Sequence, residues 1–136
     1  MKNTRGLRNN NPLNIKRNNT AWKGLSAIQS DKIFFSFVAP EWGYRAAFIT
    51  LRNYRKKHRL QTIAQWIERW APPTENNTKA YVDCVCKRSG CKSDFVPHIY
   101  NKEQMCAIVS AMSYMENGVP AIASDLEKGW DLSISK

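Results

Sequence analysis

The sequence predicts an α+β domain that is mostly α, with a small β-hairpin or sheet at its N-terminal end. Three observations predict it. Helical periodicity with capping residues fills most of the chain after Pro40. Apolar–polar alternation is confined to the segment before it. No internal repeat, long linker or low-complexity stretch divides the 136 residues, so residues 1–136 read as one domain, long enough to bury a core.

The elements follow in order. Residues 1–20 are rich in Asn, Arg and Lys, and Leu13-Asn14-Ile15-Lys16 alternates as a short strand would. "AWKGL" turns at Gly24, and "KIFFSFV" is a second strand with Phe35 and Phe37 on one face and Phe34 on the other. Pro40, followed by Glu41, suits a helix start; Trp42, Ala46, Ile49 and Tyr54 mark its stripe down to the basic run "RKKH". Thr62 and Gln65 form a capping-box pair opening "IAQWIERW", which "APP" stops. "KAYVDCVCKRSG" is a helix ending at Gly90. Asn101 and Gln104 open a long helix with an apolar stripe of Met105, Ile108, Val109, Met112 and Met115, and Gly118 fits the left-handed position after it. "VPAIASDLEKGWDLSISK" reads as a helical turn and an extended tail.

Twenty-one Lys and Arg against 11 Asp and Glu give a net charge of +10, which favours an anionic partner: nucleic acid, an anionic membrane surface or an acidic cell wall. No run approaches the ~20 apolar residues of a membrane-spanning helix. "MKNTRGLRNNNPLN" has no apolar core, so no signal peptide is expected; the protein is synthesised in the cytoplasm, and a wall-directed activity needs another delivery route.

Glu116 is the residue out of place. It follows Met112 by four and Val109 by seven, and so shares the apolar stripe, where a carboxyl loses hydration and keeps its proton to higher pH. That suits a general acid of glycoside cleavage; the competing reading is a helix-end glutamate paired with an arginine. Glu75, in "APPTENNT", is a second acid or a sugar partner, against the commoner reading as favourable charge near a helix start. Asn10, Asn11 and Asn14 form an amide cluster that either bonds loop backbone or binds sugar hydroxyl and acetamido groups. "LRNYRKKHR" carries the basic–aromatic mixture of a nucleic-acid surface without a supporting motif, so nucleic acid is not favoured. Cys84, Cys86, Cys91 and His98 have an unusual spacing for zinc, and no P-loop or dinucleotide glycine motif occurs; no metal or other cofactor is assigned. A disulfide joining Cys91 to Cys86 or Cys84, and a cysteine nucleophile served by His58 or His98, are minor alternatives.

Two segments, "MENG" (Glu116-Asn117-Gly118) and "NNPLNIK" (Asn10 to Lys16), resemble the lysozyme-like superfamily, particularly glucosaminidases and lytic transglycosylases. The resemblance implies a lysozyme-like domain in which Glu116 is the catalytic acid, Asn10, Asn11 and Asn14 line the sugar groove, and Tyr81 of "AYV" reaches the acid. Tyr44 and Arg45, in "WGYRAAF", are assigned to the same site, Arg45 to pair with a carboxylate. The family order is reversed here, because the glutamate helix follows the asparagine strand; a circular permutation reconciles the two. The wider pattern, "RGLRNNNPLNI", "FFSF…WGYRAAF", "TIAQWIERWAPPTENNTKAYV" and "MENG", resembles small phage and prophage proteins labelled as virion components or lysozyme-like proteins. The expected function is cleavage of peptidoglycan glycan strands, with phage virion or secretion-system delivery. The alternatives are a non-catalytic virion or wall-binding protein and a basic nucleic-acid-binding protein.

Overall fold

The computed structural model describes residues 3–135. The basic start at residues 1 and 2 and the end of the tail at 136 lie outside them. The order is α1 (Arg5–Arg8), α2 (Pro40–Lys56), α3 (Ile63–Trp70), α4 (Thr78–Ser89), α5 (Lys102–Asn117) and α6 (Ala123–Ile134).

Local chemistry sets the helix ends. Thr62 accepts from the Gln65 N–H while the Gln65 side chain returns to the Thr62 N–H, the reciprocal box expected of α3. Asn77 and Asn101 cap α4 and α5. Gly90 and Gly118 close α4 and α5 in the left-handed conformation, at φ 76° and 70°. Gln104 departs from the expected box: its carbonyl accepts from the His98 N–H instead.

The helices pack as two pairs, α2 on α6 and α4 on α5, with α3 against α4. Phe48 and Leu51 of α2, Trp66 of α3, Val85 of α4, and Met105, Ile108, Val109 and Met112 of α5 are fully buried. Each of the larger ones stabilises the fold by about 1.5–3 kcal/mol. Met115 leaves the expected stripe and is exposed.

Two expectations are corrected. Among the described residues the N-terminal segment forms no β-hairpin or sheet, only isolated antiparallel bridges, Lys16 with Phe34 and Leu25 with Phe37. The alternation is nevertheless real, since Leu13, Phe35 and Phe37 are buried. Side-chain amides take over the bonds that a longer ladder would supply. The Asn11 amide donates to Ile15 O and Phe35 O and accepts from the Ile15 N–H, and Gln29 brackets Ser36 through its N–H and carbonyl. The second correction is α6, a 12-residue helix where a turn and an extended tail were expected. Gly129 sits within it because a β-carbon there would lie 2.5 Å from Tyr44 Cβ, so the two helices approach almost backbone to backbone.

Candidate functional site: a half-buried carboxyl beneath a groove

Three asparagines of "NNNPLN" do three different jobs. Asn10, at φ 52°, donates to Phe37 O. Asn11 is fully buried, and its amide is spent on backbone, so it cannot reach a ligand. Asn14, also at φ 52°, turns its amide outward from the segment, and its Nδ2 donates to Glu116 Oε1 at 2.8 Å across 102 residues of sequence. Asparagine tolerates that left-handed backbone better than most residues.

Glu116 lies in the last turn of α5, and Tyr81 of α4 donates its hydroxyl to Glu116 Oε2 at 2.8 Å. Each carboxyl oxygen therefore accepts at least one hydrogen bond. Burial raises the Glu116 pKa above the ordinary carboxylate range, while the donors Asn14, Tyr81 and the Trp70 indole partly oppose it. Burial and the adjacent Glu116 push the Tyr81 phenol well above its usual value, so the phenol keeps its proton and acts as the donor.

Asn117 holds the frame. Its amide donates to Pro12 O and Ser113 O, both at 2.9 Å, and its carbonyl accepts from the Thr4 hydroxyl at 2.6 Å. The end of α5 is thus tied to both the first helix cap and the turn that carries Asn14. Gly6 of α1 packs beneath: a β-carbon there would meet Asn11 O and Asn14 Oδ1 at 2.9 Å and Asn117 Oδ1 at 3.0 Å.

A groove of about 270 Å³ opens beside this cluster, lined by Asn14, Lys16, Trp22, Tyr54, Trp70 and Glu75 among others. Asn14 and Trp70 therefore face both the groove and Glu116. Glu75 stands in its wall, ion-paired to Lys16 at 2.8 Å. The buried indole N–H of Trp22 has no hydrogen-bond partner among the described residues. A larger cavity of about 540 Å³ has mostly apolar walls, including Leu7, Pro40, Val119 and Ile122, with Asn10 and Tyr44; Glu116 lines neither space and reaches the groove through Asn14 and Trp70.

Glu116, Asn14, Tyr81 and Glu75 are thus brought to one region, whereas Asn10, Asn11, Tyr44 and Arg45 are not. Tyr44 is buried with its hydroxyl 2.9 Å from Ser113 Oγ. Arg45 forms no ion pair with a carboxylate among the described residues, contrary to the expected pairing; its backbone N packs close to Gly129 of α6, away from the Glu116 cluster. The sequence reading missed Trp22, Arg69 and Trp70, whose approach depends on a loop crossing that no local pattern records. The four cysteines are free thiols, and among the described residues no three His, Cys, Asp or Glu side chains cluster as metal ligands. Among the same residues, no helix is long and apolar enough to cross a membrane.

The fold and site define a helical domain whose amide-rich N-terminal segment clamps an acid at the end of its central helix. No protein-family model matches the chain. It is 39% identical over 131 residues to Protein P5 of Pseudoalteromonas phage PM2, an alignment covering 93% of this chain and 80% of that protein. The chain belongs to the same family as this phage protein.

Proposed function

We propose that this protein cleaves the glycan strands of peptidoglycan, with Glu116 as the proton donor to the glycosidic oxygen. The observation that carries the reading is the Asn14–Glu116–Tyr81 arrangement: burial raises the carboxyl's pKa and so favours its proton, while two donors that partly oppose this rise aim it beside a groove. A carboxyl so placed can hold and deliver that proton. The lysozyme-like resemblance of "MENG" and "NNPLNIK" adds support, since the fold brings those two segments into contact despite their reversed order. Trp22 offers an unpartnered indole N–H, suited to a sugar carbonyl or hydroxyl, and Trp70 an aromatic wall.

After leaving-group departure the positive charge on the sugar needs a partner. The substrate's own acetamido group is one, as in lytic transglycosylation, with Glu116 then acting as base. Glu75 is the other, and would make the enzyme a two-carboxylate hydrolase. Delivery within a phage particle is consistent with membership of a phage protein family. That membership also favours a second reading, a virion component that grips the wall without cutting it.

Mass spectrometry of fragments released from purified sacculi separates these readings. Wild type is expected to release glycan fragments, ending in anhydro sugars by the first route and in reducing ends by the second. Glu116→Gln is expected to release none while keeping its fold. Binding to sacculi without release by the wild type supports the second reading.

A further inference from the structure

The groove contains a cation that the acid chemistry does not use. Arg69, in the last turn of α3, lines it together with Asn14, Lys16, Tyr54, Trp70 and Glu75. The Lys16 charge is already met by Glu75 at 2.8 Å. No carboxylate pairs with Arg69 among the described residues.

An exposed arginine without a partner is usually just solvated, but this one is held. Its guanidinium lies 5.3 Å over the Tyr54 ring, and its Nη2 is 3.4 Å from His58 Nε2. Tyr54 is itself a fixed platform, 8% exposed, and burial pushes its phenol up to about 12, so the ring stays neutral. With Nη2 beside His58 and Tyr54 also engaged, the remaining edge N–H groups of the guanidinium still offer a planar fork that matches a carboxylate. Immobilisation before the ligand arrives removes much of the entropic cost of forming them.

We infer that Arg69, stacked on Tyr54, is a carboxylate subsite that makes the groove select acidic glycans over neutral ones. This rests on the reading of the groove as a glycan site. In peptidoglycan the carboxylate has two sources, the lactyl group of a muramic acid stripped of peptide or the acidic residues of an attached peptide.

Calorimetric titration on the Glu116→Gln background, which halts turnover, tests the subsite with three probes. These are chitotetraose, a peptide-free tetrasaccharide of alternating N-acetylglucosamine and N-acetylmuramic acid, and the same tetrasaccharide bearing peptides. At least one acidic probe is expected to bind about tenfold or more tightly than chitotetraose, as one charged hydrogen-bonded contact provides. Which acidic probe binds tighter identifies the carboxylate's source. Adding Arg69→Gln is expected to weaken the acidic probes about tenfold more than chitotetraose, whereas Arg69→Lys, with charge but no fork, restores only part. Equal affinity for acidic and neutral probes, or an equal loss for both on Arg69→Gln, overturns the subsite while leaving the glycan groove standing. Binding of none of the three overturns the groove reading and the subsite with it.

Discussion

Asn14→Asp isolates the contact on which the site depends. The substitution keeps the side-chain shape, and aspartate tolerates the φ of 52° at this position nearly as well as asparagine, so what changes is the charge and the amide donor to Glu116. It places a second carboxyl 2.8 Å from Glu116 Oε1. At an effective dielectric of about 20, two unit charges at that separation repel by about 6 kcal/mol, so the pair shares one proton instead of ionising fully. In the unfolded chain both groups ionise near pH 4, whereas the folded pair holds its last proton to much higher pH. The folded state then binds more protons than the unfolded, and stability falls as pH rises. Near pH 4 the variant is expected to lie within about 1 kcal/mol of wild type; by pH 8 it loses about 4 kcal/mol more than wild type does, a large part of a typical folding free energy. Urea unfolding followed by tryptophan fluorescence from pH 4 to 8 measures this directly. Parallel pH profiles for variant and wild type would mean that residues 14 and 116 do not touch, and the site as described would be lost.

Three further outcomes follow from the same geometry. Gly6→Ala would stabilise an open helix, but here its methyl group meets three oxygens at 2.9–3.0 Å, so a loss of about 1–3 kcal/mol and a lower Tm in calorimetry are expected. Tyr81→Phe removes one of the donors that favour ionised Glu116, so the carboxyl should titrate at still higher pH than in wild type, as followed by carbon-13 NMR. Burial pushes the Cys106 thiol up to about 11, so at pH 8 its alkylation, followed by peptide mass spectrometry, should run about a hundredfold slower in the native protein than in urea.

The helices α2 to α5 were legible because their signals are local. Thr62 with Gln65, Asn101, Gly90 and Gly118 announce ends through side-chain and backbone chemistry within a few residues. The N-terminal strands were not, because alternation reports which side chains are buried, not whether a ladder forms. Phe35 and Phe37 are buried as expected, yet Asn11 and Gln29 satisfy backbone groups that a strand partner would otherwise serve. α6 escaped for the opposite reason: Gly129 lowers helix propensity locally, and what requires a glycine there is Tyr44 on another helix.

The site shows the same division. Glu116 was visible as a carboxyl in an apolar stripe, and the resemblance implied that Tyr81 reaches it; Asn14 was expected to hold sugar, and its bond to Glu116 was not foreseen. Asn11 carries the same residue type as Asn14 and lies three positions away, but points into the core, a distinction set by the turn conformation at Asn14 and invisible in composition. Lys16 with Glu75 and Arg69 with Tyr54 meet only through the fold.

The most direct measurement is the titration of the Glu116 side-chain carboxyl by carbon-13 NMR, assigned by its absence in Glu116→Gln and repeated with a bound N-acetylglucosamine–N-acetylmuramic acid tetrasaccharide. A midpoint above the ordinary carboxylate range, displaced when the oligosaccharide occupies the groove, is the predicted result. A carboxyl that titrates as it would in open water and ignores the sugar would contradict the account.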